Sequence, residues 1–282
     1  MTSDLIGAHP DDETFGIGGT LAKYASDGVN VYYICATRGE VGEVSTPELM
    51  TGYSSLGDLR WAELKCAAQA LGLNDVIYLG YRDSGMAGSE DNNHPQALAA
   101  APLVQVTERI VKEIRRLKPE VVITFDPIGG YRHPDHIAVH NATVKAFHAS
   151  GDFQQFPEAD TPFQPQKLYF HVFSNKMLKI IVKLLPLFRR DPHRFGRNKD
   201  IDLVSLVEIE FPINAVIHLT SKSVSAREKA TACHTSQLGG GSPRRGILSF
   251  LTRLFGQKDT FIRAYPPVIN RRRESDLFAG VK

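Results

Sequence analysis

Cysteine is scarce in this 282-residue chain: Cys35, Cys66 and Cys233 stand far apart and form no Cys-x-x-Cys pair. That spacing predicts neither a disulfide framework nor a thiolate metal site, and it suits a reducing compartment. Long apolar runs are missing as well, and none approaches the roughly 18 residues that a membrane span needs. Met1-Thr2-Ser3-Asp4 leads straight into Leu5-Ile6-Gly7-Ala8 without a basic start, so a cytoplasmic location is expected. Charge of one sign is not in excess: 33 Lys plus Arg against 31 Asp plus Glu leave +2, which argues against a nucleic-acid partner. No Gly-x-Ser-x-Gly elbow and no Walker loop occurs. Gly16-x-Gly18-Gly19 lacks dinucleotide spacing, and Asp11-Asp12-Glu13 would repel a pyrophosphate at that turn. Those glycines fit close helix packing instead.

What is present is an alternation of apolar strands and helical periods. Leu5 to Ala8, Val29 to Ala36, Val76 to Leu79 and Val121 to Phe125 read as buried strands. Between and after them, Phe15 to Ser26, Arg60 to Leu71, Val104 to Leu117 and His133 to His148 carry helical spacing. The series predicts an α/β fold: a Rossmann-like, mostly parallel sheet with helices on both faces over residues 1–150. Residues 151–282 form a C-terminal extension of the same domain that shapes the pocket, opening on a Pro- and Gln-rich connection. In it Lys167 to Phe173 and Val207 to Ile209 read as strands.

Chemistry concentrates at two strand ends. Ala8-His9-Pro10-Asp11-Asp12-Glu13 follows the first strand, and Tyr131-Arg132-His133-Pro134-Asp135-His136 follows the fourth. In a 3-2-1-4 strand order these strands are neighbours at the reversal of the sheet, where open α/β folds bind ligands. Two to three imidazoles and three to four carboxylates then share one pocket, too much polarity to bury without a cation. Imidazole and carboxylate without thiolate suit a catalytic Zn²⁺ held by three protein groups. Glu13 reads either as a partner that fixes His9 or as a helix-start acid, and Asp126 either as a residue facing the site or as a turn residue before Pro127.

These two motifs resemble those of the PIG-L, or LmbE-like, family of N-acetylglucosaminyl deacetylases. The likeness extends through Thr37-Arg38-Gly39-Glu40, Arg60-x-x-Glu63, Tyr81-Arg82-Asp83-Ser84-Gly85-Met86 and, thinly, His234-x-Ser236-Gln237. The Tyr81 to Met86 stretch is most similar to the branch that acts on the inositol-linked glucosamine precursor of mycothiol, and to its amidase relative. The resemblance implies His9, Asp12 and His136 as ligands of Zn²⁺, with Fe²⁺ also tolerated. It implies Asp11 as the general base, His133 as stabiliser of the oxyanion or proton donor to the leaving amine, and Asp135 as the group that orients His133. Tyr131 would polarise the carbonyl, while Arg60 and Asp83 would grip the sugar or its aglycone.

The reaction implied is hydrolysis of the N-acetyl amide of an N-acetylglucosamine-type conjugate. Rival readings are an amidase on a thiol-sugar conjugate, a deacetylase of a lipid-linked sugar, a vestigial binding module, and a nucleotide-sugar transferase, for which no phosphate loop is found. Two basic amphipathic segments, 176–190 and 244–258, could lie on an anionic membrane. The favoured expectation is that they pack on the core or on a second copy in a homo-oligomer.

Overall fold

The computed structural model describes residues 1–44, 46–173, 175–188, 190–195, 201–238, 257–269 and 272–282. Its centre is a seven-stranded sheet in the order β3-β2-β1-β4-β5-β7-β6. The strands are β1 (Thr2–Gly7), β2 (Asn30–Cys35), β3 (Asp75–Tyr78), β4 (Val121–Phe125), β5 (Lys167–Val172), β6 (Ala215–His218) and β7 (Lys258–Tyr265). The first five are mutually parallel, and β7 runs antiparallel to both β5 and β6. The mostly parallel α/β sheet read from the sequence is therefore present, and the second half of the chain extends that same sheet.

Both faces of the sheet are covered, which is why the central strands are near-continuous apolar runs. Successive residues of β1 serve opposite cores: Leu5 packs with Leu21, Tyr33, Leu64 and Phe261, whereas Ile6 packs with Ile34, Ile110, Val122 and Phe147. On the first face lie α1 (Asp12–Phe15), α2 (Gly18–Ser26), α3 (Leu56–Leu71) and, late in the chain, α9 (Ser221–Cys233). On the second lie α4 (Leu103–Leu117) and, after the one-turn α5 (Gly129–Arg132), α6 (Pro134–Ala149). Also among the described residues are the α-helices α7 (Asn175–Leu184) and α8 (Leu203–Val207).

Several expectations need correction. The helix foreseen from Phe15 to Ser26 is two, broken at Gly16 and Ile17, where Ile17 leaves helical geometry to bury its side chain. Gly19 then approaches so close to Leu219 that a β-carbon there would overlap it, which bears out close packing by this glycine run. Val207 to Ile209 is no strand: Asp202 caps Val204 and Ser205 and starts α8 instead. Cys66 and Cys233 are joined in a disulfide that ties α3 to α9, with their Cα atoms 5.8 Å apart. Of the two basic segments, 176–190 begins as α7 and packs against α8, burying Leu185 while Leu187 and Phe188 stay exposed. The segment 244–258 lies outside the described residues except at its last two positions.

Candidate active site

The two motifs meet where β1 and β4 end side by side. Tyr33 from β2 donates its hydroxyl to the His9 carbonyl at 2.7 Å, and Thr37 donates to that of Ala8 at 2.9 Å, so the turn after β1 is pinned from the neighbouring strand. From β4, Phe125 stacks flat on the His136 ring, with centroids 3.9 Å apart. Asp126 is the turn residue of its two readings: its carboxylate accepts the Ile128 and Gly130 amides and shapes the loop that returns the chain to α6.

Three groups face one another. His9 Nδ1 and His136 Nε2 are 3.3 Å apart, Asp12 Oδ1 is 3.4 Å from His136 Nε2, and Asp12 Oδ2 is 3.7 Å from His9 Nδ1. Ligands about 2.0–2.1 Å from a tetrahedral ion are separated by about 3.4 Å, a spacing that the His9–His136 and His136–Asp12 pairs match, while Asp12 meets His9 through its other oxygen at a longer 3.7 Å. The hydrogen bonds behind these groups orient the rings. His9 Nε2–H donates to Asp135 Oδ2 at 3.1 Å with Asp83 Oδ1 beside it at 3.4 Å, and His136 Nδ1–H donates to the Gly129 carbonyl at 3.2 Å. Burial pulls the His9 ring down, but the Asp83, Asp135 and Asp12 carboxylates outweigh it and hold His9 well above the usual imidazole range, so the charged ring shares a proton with His136 across the gap that a bound cation would fill. Burial pushes the Asp12 carboxyl up to about 7, although His9 and the Ala8 and His9 amides pull it down, which again marks a place built for positive charge.

Beside this triangle stand Asp11 and His133. Asp11 has φ 131°, a region that non-glycine residues avoid, and its carboxylate is held by Arg60 Nη2 at 3.1 Å. Arg60 is itself buried and also donates to the Gly39 and Pro10 carbonyls. A β-carbon at Gly39 would collide with that guanidinium, which explains the glycine of the Thr37 to Glu40 motif. His133 caps α6, with Nδ1 accepting the Asp135 amide at 3.2 Å. Burial, with the nearby His9 charge, holds His133 down to about 4, so the ring is neutral and its proton sits on Nε2. The Tyr131 ring packs edge-on to both His133 and His136.

The geometry redistributes some expected tasks. Asp135 does not orient the His133 ring with its carboxylate, which is spent on His9 Nε2 and on the Ser84 amide and hydroxyl. Asp83 accepts from the Gly85 and Val41 amides and lies against His9, and Arg60 braces Asp11. Glu13 does not fix His9: it accepts the Asp11 amide at 2.9 Å and meets His234 Nε2 at 2.7 Å. In the sequence His234 belongs to the thin His234-x-Ser236-Gln237 likeness, which assigns it no role. Glu63 accepts from Thr235 and Ser236, so the motif around residues 234–237 closes onto the site from α9.

Comparison with known proteins gives the family and the fold. The family model described as PIG-L, GlcNAc-PI de-N-acetylase matches residues 5–147. A 1D-myo-inositol 2-acetamido-2-deoxy-alpha-D-glucopyranoside deacetylase from Kineococcus radiotolerans is 44% identical over 98% of this chain and 82% of its own length. Among solved structures, the N,N'-diacetylchitobiose deacetylase of Pyrococcus horikoshii superposes with a TM-score of 0.63 at 19% identity, covering 93% of this chain and 83% of that one. The 4-carboxy-2-hydroxymuconate hydratase GalB of Pseudomonas putida shares the fold at a TM-score of 0.60 and 19% identity, over 96% of this chain and 99% of that one. At such identity the superpositions speak for architecture alone.

Proposed function

The chain belongs to the PIG-L family of metal-dependent N-deacetylases, and from that premise we propose that it uses Zn²⁺ to remove the acetyl group from an N-acetylglucosamine linked to inositol. The observation that supports the metal centre is the pair of facing imidazole nitrogens 3.3 Å apart, with the Asp12 carboxylate beside both. His9, Asp12 and His136 would hold the ion, which when bound polarises the amide carbonyl and makes water more acidic.

The chain's own groups do the rest. Asp11, fixed by Arg60 on one side and by its own backbone on the other, accepts the proton of the attacking water. His133, neutral, offers its Nε2–H as a hydrogen bond to the developing oxyanion as the C–O bond forms, and the proton that Asp11 took from the water passes to the leaving nitrogen as the C–N bond breaks. Acetate and the free amine leave. Tyr131 closes the carbonyl side of the pocket, edge-on to both rings. Asp135 and Asp83 keep His9 in its ligating tautomer, and whatever grip Arg60 and Asp83 have on the sugar is shared with these internal tasks. The substrate meets the enzyme as a water-soluble conjugate in the cytoplasm, and no helix among the described residues is long and apolar enough to cross a membrane.

Amine release by the zinc-loaded protein tests this reading, with N-acetylglucosaminyl-inositol, its lipid-linked phosphatidylinositol counterpart in vesicles, and a thiol-bearing acylated conjugate as substrates. The first should turn over fastest. Preference for the vesicle or for the thiol conjugate reassigns the substrate, and no release from any of them at full metal load overturns the activity.

A further inference from the structure

Glu13 is wholly buried, and so is the histidine that faces it across 221 residues of chain, with Glu13 Oε1 2.7 Å from His234 Nε2. The same carboxylate takes the Thr14 hydroxyl at 2.6 Å on Oε1 and the Asp11 amide at 2.9 Å on Oε2. Asp11 sits at φ 131°, ψ −25°, a conformation that a residue with a β-carbon holds only where its surroundings over-determine it. They do so here: the amide is fixed by Glu13, the carbonyl accepts the Thr14 and Phe15 amides at 3.0 and 2.9 Å, and the side chain is held by Arg60. A carboxylate in a dry interior keeps its charge only while donors surround it. The ring donor is His234, carried to the site by the end of α9, which the disulfide from Cys66 to Cys233 fastens to α3. Thr235 and Ser236 fasten it again through Glu63 of that helix.

We propose that His234 is a positioning residue for the catalytic base: through Glu13 it locks the backbone of Asp11, and thereby sets where the Asp11 carboxylate points. The inference rests on Asp11 acting as the base. The His234 ring bonds to Glu13 and to none of His9, Asp12 and His136, so its removal should lower kcat while leaving KM and metal content in place. Misplacement of a reacting group by about 1 Å can cost on the order of 100-fold in rate. His234→Asn shortens the side chain so that its amide no longer reaches Glu13, whereas His234→Gln can present an N–H close to the Nε2 position.

The experiment compares these two variants with Asp11→Asn and with the Asp11→Asn/His234→Asn double variant. It measures kcat, KM, bound metal, and hydrogen exchange at the Asp11 amide of the metal-free protein. Expected are a kcat roughly 10- to 100-fold lower for His234→Asn at unchanged KM and metal load, and substantial recovery in His234→Gln. Faster exchange at the Asp11 amide should accompany the loss, and the double variant should lose nothing beyond Asp11→Asn alone. If His234→Asn does not fold, Glu13→Gln replaces it and must show the same split. Unchanged kcat and exchange overturn the proposal, as do equal losses in the Asn and Gln variants or a loss that follows the metal. Near-normal turnover by Asp11→Asn, in contrast, overturns the role of the base itself.

Discussion

His9 Nδ1 and His136 Nε2 lie 3.3 Å apart although 127 residues separate them, and each ring spends its other nitrogen on a separate acceptor. Two lone pairs at that distance are stable only around a cation or a proton. The first prediction separates the two: His136→Ala should weaken binding of a divalent ion by more than the roughly 10- to 100-fold typical of losing an outer partner. Metal analysis after dialysis reads this directly. Stoichiometric metal retained in a His9→Ala/His136→Ala double variant would show that the ion sits elsewhere.

The second prediction concerns Asp135. Its carboxylate engages His9 Nε2 and Ser84, not the His133 ring, so Asp135→Asn disturbs a ligand and not the hydrogen-bond donor to the oxyanion. Metal affinity should fall by about 10- to 100-fold. A variant with undiminished affinity but slow turnover would return Asp135 to the orienting role that the family resemblance implies.

The site was legible where chemistry coincides with a strand end. β1 and β4 are apolar runs that stop at His9 and at Asp126, and a parallel sheet leaves little choice about where such ends meet. What stayed hidden depends on contacts that no local pattern encodes. Asp135 lies two residues from His133, yet at the start of a helix the two side chains diverge, and its carboxylate crosses to β1's turn. His234 follows a helix with little amphipathic signal, and only folding brings it to Glu13. The pairing of Cys66 with Cys233 is invisible for the same reason, since they stand 167 positions apart. Val207-Glu208-Ile209 is too short an alternation to separate a strand from a helix end.

The third prediction follows from that pairing. Closing so long a loop restricts the unfolded chain, and the disulfide should contribute roughly 2–5 kcal/mol in the oxidised protein. Cys66→Ser should therefore lower Tm when both proteins are prepared without reductant, and the difference should vanish once the wild type is fully reduced. Two free thiols at positions 66 and 233 in the air-oxidised native protein would remove the bond from the account.

The last prediction lies away from the metal centre. Glu274 joins the C-terminal segment to the sheet: Lys167 of β5 donates to its Oε1 at 2.8 Å, Arg263 of β7 donates to the same oxygen at 2.6 Å, and the Tyr169 hydroxyl donates to Oε2 at 2.5 Å. Partial burial pushes this carboxyl up, but the bonds from Lys167 and Tyr169 and the charge of Lys167 outweigh it and hold the group below its ordinary range. A carboxylate whose folded pKa is depressed stabilises the fold fully above its unfolded pKa, about 4.3, and that contribution fades as pH falls through the lower folded value. Glu274→Gln should thus cost about 1–3 kcal/mol at neutral pH, the worth of a hydrogen bond to a charged group. The gap between variant and wild type in urea unfolding should stay constant from pH 7 to about 5 and narrow below about 4. A gap that is the same at pH 3 as at pH 7 would mean that the negative charge of Glu274 contributes nothing to holding this segment.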